Sequence, residues 1–172
     1  MKRRYFLTAG LILGAIALQA AGPKAERSAD ADAFATLKTL AGNWQSEKVD
    51  PKMGRVHLSY EVIAAGTAVV ERTTGEKMPE MLTVYHLDGG HLMLTHYCMA
   101  GNQPRMQMRT FSPESGELQF KFLDGTNLKP GDGHMHNATL RVAAPNRLIT
   151  DWEFYENGQR KFEESAEYTR LP

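Results

Sequence analysis

The sequence predicts an all-β fold, an up-and-down antiparallel β-barrel of about 8–10 strands with a short N-terminal helix. Three observations carry this expectation. Short segments in which apolar and polar residues alternate recur from Gly42 to the end of the chain. Turn-forming residues separate them, among them Asp88-Gly89-Gly90, Ser115-Gly116, Asp124-Gly125, Pro145-Asn146 and Asn157-Gly158. The connections are short, and no internal repeat or second domain interrupts the pattern.

The elements follow in order. Lys2, Arg3 and Arg4 precede an apolar run over 6–20, and small residues follow at Ala20, Ala21 and Gly22. Residues 1–21 therefore read as a signal peptide, too short in its apolar part for a membrane span. The pair of arginines followed by Phe6-Leu7 is similar to a twin-arginine signal, so the general secretory and twin-arginine routes are both open. An exported protein, periplasmic or secreted, is expected, free of the membrane once the signal is cleaved. Residues 22–31 read as a flexible polar leader, and 32–172 as the barrel domain. A helix is expected over 32–40, with Asp30 as its cap and Phe34, Leu37 and Leu40 at helical spacing.

Strands are expected over 44–49, 56–64, 68–74, 81–87, 91–99, 105–111, 117–123, 137–142, 147–155 and 161–170. Leu118, Phe120 and Phe122 alternate with Glu117, Gln119 and Lys121. Met106 and Met108 alternate with Arg105, Gln107 and Arg109. One dry face and one wet face on successive antiparallel strands describe a sheet wrapped over a core, and closure removes its exposed edges. The longest irregular segment is expected over 124–136.

Composition narrows the function classes. The chain has 20 basic and 20 acidic residues. Loss of Lys2, Arg3 and Arg4 leaves a slight acidic excess, and no basic stripe points to nucleic acid. A single cysteine permits no internal disulfide.

Leu40-Ala41-Gly42-Asn43-Trp44 follows the expected helix and opens the first strand. In this it resembles the Gly-x-Trp start of calycin (lipocalin-like) barrels. The resemblance implies structural roles for Gly42 and Trp44, and for Arg170 on the last strand as the arginine that packs across the Trp. The stretches MLTVYHLDG (81–89), LTHYCMAGNQPRM (94–106), FKFLDGTN (120–127), HMH (134–136) and DWEFYENG (151–158) resemble a family of small exported bacterial lipocalin-like proteins of the DUF1579 type. That likeness covers most of 36–170 and implies a fold without an activity. Heme-binding barrels of the nitrobindin type share a ten-strand plan, but the last expected strand holds no His to match their ligand.

Two pairs of residues invite chemistry. His96 and Cys98 share a strand face about 6–7 Å apart, and His134 and His136 have the same spacing. Imidazole and thiolate on one face suit zinc or copper, so His96, Cys98, His134 and His136 are candidate metal ligands. Packing of His96 and Cys98 against Leu92 and Leu94, on the same face, is the plainer alternative. Ser59, Ser112, Ser115 and Ser165 lie in no nucleophile motif, and no phosphate loop or cofactor fingerprint is present. Glu163-Glu164 reads as solvated charge on opposite strand faces.

The function expected is binding of a small, mostly apolar or amphipathic molecule inside the barrel, and no residue pattern points to catalysis by that binder. Met106, Met108, Phe120, Trp152 and Phe154 would line the pocket. His96, Tyr97, Asn102, Gln103 and Arg105 would fix the ligand's polar groups. Tyr97 points opposite to His96, so only one of the two can face inward. The alternatives are a metal-binding barrel holding zinc or copper, with or without an enzymatic activity, and a filled barrel acting through its loops.

Overall fold

The computed structural model describes residues 28–172. The expected signal peptide (1–21) and 22–27 of the expected leader lie outside the described residues. A helix, α1 (Ala29–Lys38), precedes ten strands. These are β1 (Gly42–Ser46), β2 (Val56–Ile63), β3 (Ala68–Gly75), β4 (Met78–Asp88), β5 (His91–Tyr97), β6 (Gln103–Ser112), β7 (Glu117–Thr126), β8 (His134–Ala144), β9 (Arg147–Glu156) and β10 (Gln159–Arg170). Each pairs antiparallel with its neighbours in sequence, and β1 pairs with β10 to close the barrel. The expected up-and-down barrel is the observed fold. Among the described residues no helix is long and apolar enough to cross a membrane.

The helix starts earlier than expected. Ser28 is its cap, accepting from the Ala31 amide at 3.2 Å. Asp30 and Asp32 then fall in the first turn and Lys38 in the last, which suits the helix dipole. Asp30, the expected cap, instead accepts from the Leu92 amide at 2.6 Å and ties the helix to the β4–β5 hairpin. Ala33, Phe34, Leu37 and Leu40 are buried, so α1 plugs one end of the barrel.

Trp44 is fully buried at that end and its indole donates to the Leu40 carbonyl at 2.8 Å. The Arg170 guanidinium lies 4.2 Å above the Trp44 ring, as expected. It also donates to the carbonyls of Thr39 and Ala41, each at 2.6 Å, and of Pro145 at 2.9 Å. One side chain thus caps the helix C-terminus and clasps the β1–β10 seam. A Cβ on Gly42, whose φ is +124°, would stand 3.1 Å from Arg170 Nη1. Glycine satisfies both the turn and the close approach.

Several strand ends move. β1 stops at Ser46 rather than continuing to 49, because the chain turns into a self-bonded loop. Asp50 and Gly54 exchange backbone hydrogen bonds at 2.9 and 2.8 Å, and Asp50 Oδ1 accepts from Lys52 and Met53. β4 begins at Met78, earlier than the expected 81, and runs through Pro79. The expected irregular segment 124–136 shrinks to 127–133, since β7 runs on to Thr126 and β8 begins at His134. The barrel's centre is filled: Tyr85 and Phe120 meet edge to face, 6.0 Å between ring centroids, and Leu94, Met106 and Leu118 are fully buried.

Candidate functional site: a polar pocket at the open end

The end of the barrel away from α1 holds a small pocket with polar walls. Residues 69, 71 and 73 share one face of β3. Val69 on that face is fully buried, so Glu71 is carried inside with it. The Glu71 carboxylate accepts from the Tyr85 hydroxyl at 2.6 Å and from Thr73 at 3.2 Å. The buried Tyr60 hydroxyl faces the same carboxylate without reaching hydrogen-bond geometry. Burial raises the Glu71 pKa, and the hydrogen bonds oppose that rise. Burial and the neighbouring Glu71 push the phenols of Tyr60 and Tyr85 well above their ordinary value.

His96 enters from β5, opposite Thr83 in the ladder. It is 4% exposed, its Nδ1 lies 2.9 Å from Thr83 Oγ1, and its ring centroid lies 4.9 Å from that of Trp152. Nε2 is buried without a hydrogen-bond partner. Burial lowers the His96 pKa to about 4, so the ring is neutral at neutral pH. A threonine hydroxyl can donate or accept, so Nε2 can present either a lone pair or an N–H to the pocket.

Glu71, Thr73, His96, Thr150, Glu164 and Tyr168 form the polar part of the wall. Leu58, Met81, Met135 and Trp152 form the apolar part. The free volume is about 30 Å³, room for one or two water-sized groups. Among the described residues neither Lys nor Arg lines it. Glu164, expected as solvated charge, instead turns inward and is half-buried. Burial and the charge of Asp50 raise its pKa, and among the described residues its carboxylate has neither a hydrogen bond nor an ion pair.

Of the ten expected ligand-binding residues, only His96 and Trp152 line this pocket. Met106, Met108 and Phe120 belong to the packed core. Tyr97 points outward and is 48% exposed, which resolves its alternation with His96. Arg105 is spent on the outer wall in a two-pronged pair with Asp124. Gln103 accepts from Thr126 at 2.7 Å and Asn127 at 3.0 Å. Asn102 is buried but serves the loop over 127–133, donating to the Gly133 carbonyl at 2.8 Å. Phe154 stacks on Phe162, centroids 4.8 Å apart, and covers Gly133, where a Cβ would come within 2.5 Å of the ring.

The expected metal ligands are not brought together. Among the described residues no group of three or more His, Cys, Asp or Glu could hold a metal ion. Cys98 is half-buried, its thiol pKa raised by burial, and its sulfur accepts from the Ala100 amide at 3.5 Å. His134 and His136 bond each other at 2.9 Å and pack on Phe122, with His136 also stacked on Tyr155. It is Met135, between them, that reaches the pocket beside His96.

The sequence reading missed Glu71, Thr150, Glu164 and Tyr168. The signal was present in the period of two. Glu71 shares the face of Val69, and Glu164 shares that of Ala166 and Tyr168.

Fold and pocket together define a closed antiparallel barrel, plugged at one end and hollowed into a small polar site at the other. Neither a protein-family model nor a curated protein matches the chain.

Proposed function

We propose that this protein binds a small molecule in the pocket around His96, holding it by polar contacts at the base and by Met81, Met135 and Trp152 at the sides. The observation that carries the reading is the buried, unpartnered Nε2 of His96. A buried polar atom left without a partner costs roughly 1–3 kcal/mol, and a ligand that supplies the partner recovers it. The ligand group that enters is smaller and more polar than the mostly apolar molecule expected from the sequence, because the aromatic and methionine side chains of 106, 108 and 120 fill the barrel's middle. Export through the signal at 1–21, and kinship with the lipocalin-like family, belong to the same proposal. The Gly42, Trp44 and Arg170 arrangement supports the kinship.

The test is a titration of the full chain with three six-carbon probes, hexanol, hexanoate and hexylammonium, followed by NMR. At least one probe is expected to move the methyl resonances of Met81 and Met135 and the indole resonance of Trp152. His96→Leu is expected to abolish those shifts while the barrel still melts cooperatively. If no probe moves these three residues, the proposal fails.

A further inference from the structure

The barrel is closed in topology but not along its whole height. β1 pairs with β10 only from Trp44↔Arg170 to Ser46↔Tyr168. One more bond, from the Glu47 amide to the Glu167 carbonyl at 2.8 Å, ends the seam. β10 continues back to Gln159, paired on its other side with β9. Below Glu167 its free edge therefore meets no strand among the described residues. It faces the 47–55 loop, in which Glu47 also accepts from Thr169 Oγ1 at 3.1 Å, while the bonds of 48–55 run within the loop, to Ser46 and to Lys77: Asp50 with Gly54, Arg55 Nη1 with the Ser46 carbonyl at 2.9 Å, and the Lys77 amide with the Met53 carbonyl at 3.1 Å.

A groove of about 360 Å³ occupies this gap. Its walls include Ser165 and Glu167, which alternate outward on β10, and Glu164 and Ala166, which alternate inward. Residues from both faces of one strand can line a single groove only where the groove passes the strand's edge. Glu164 lines this groove and the inner pocket alike. Outside and inside thus meet at one carboxylate.

The lining favours one charge. The inner pocket offers the carboxylates of Glu71 and Glu164 with no cation to balance them. Glu47 and Asp50 add two more in the groove beside Lys48, and Glu167, also in its wall, is already paired with Arg147. The unpartnered His96 Nε2 is an independent feature of the same pocket, able to accept from a donor. Trp152 adds an aromatic face of the kind that attracts ammonium groups. A bare metal ion is disfavoured because, among the described residues, no three His, Cys, Asp or Glu side chains converge. Val49, Met53 and Ile149 in the groove suit an apolar body behind a charged head.

Building on the small-molecule reading above, we infer that the gap beside β10 is a lateral port for a small organic ammonium. Its head pairs with Glu164 and reaches toward His96, and its apolar body rests in the groove against the 47–55 loop.

The same three probes test this, with isothermal titration calorimetry added. Hexylammonium is expected to bind at least tenfold more tightly than hexanol, and hexanoate not to bind. Its shifts are expected on Val49 and Ile149 as well as on Met135 and Trp152. Glu164→Gln, checked for folding by circular dichroism, is expected to weaken hexylammonium at least tenfold more than it weakens hexanol. Hexanol binding as tightly as hexylammonium, or a Gln variant of unchanged affinity, overturns the ammonium assignment while the pocket reading stands. Shifts confined to the mouth at Phe154 and Phe162 overturn the port. Silence from all three probes overturns both readings. Should Glu164→Gln not fold, the ranking of the probes on the parent protein decides.

Discussion

A buried histidine whose second nitrogen faces nothing makes the fold sensitive to acid. The unfolded ring titrates near 6.5 and the folded ring near 4. As pH falls through that window the unfolded chain takes up a proton that the native ring refuses, so stability falls, by roughly 3 kcal/mol across the window. Glu71 and Glu164 act with the opposite sign. Their folded pKa values are raised, so protonation in the native state adds stability as pH drops through them. Urea denaturation of the parent and of His96→Leu at pH 7 and pH 5 separates these effects. The variant is expected to lose less stability than the parent over that interval, or to gain some. Sequence reasoning reached His96 because histidine announces itself among apolar neighbours. It passed over Glu71 and Glu164 because a glutamate in an alternating strand reads as solvent-facing by default. Only their register against Val69 and Tyr168 marks them as inward.

At the scale of elements, the strands were legible because a period of two with turn residues between survives small boundary errors. The loops were not, because their endpoints depend on bonds between distant segments. The clearest instance is the segment over 127–133. Asn102 holds it through the Gly133 carbonyl, and the Asn157 amide holds it through the Gly131 carbonyl at 3.0 Å. Neither tie has a local sequence signature. Asn102→Ala removes the first tie and is expected to cost about 1 kcal/mol. Amide hydrogen exchange across 127–133 should quicken in that variant, with the β5 and β9 amides unchanged. Exchange unchanged throughout would show that the loop is held without Asn102. The helix start was misread for a related reason: Ser28 lies in a polar stretch that resembles a leader, and only its bond to Ala31 marks it as a cap.

At the scale of the whole molecule, closure rests on few residues. Arg170 contributes donors to three carbonyls and a cation above Trp44. Arg170→Met is expected to cost about 2 kcal/mol, which in a chain of this size lowers the melting temperature by roughly 4–8 °C. A melting temperature within 1 °C of the parent would show that the strand ladder closes the barrel unaided. The clasp also bears on how the protein comes to exist. Trp44 lies on the first strand of the barrel and its partner Arg170 on the last. Contacts so distant in sequence form late and slowly. Until β10 is in place, the edge of β1 away from β2 has no strand to pair with. Until that moment, protection of the bare edge of β1 against other nascent chains falls to the cell.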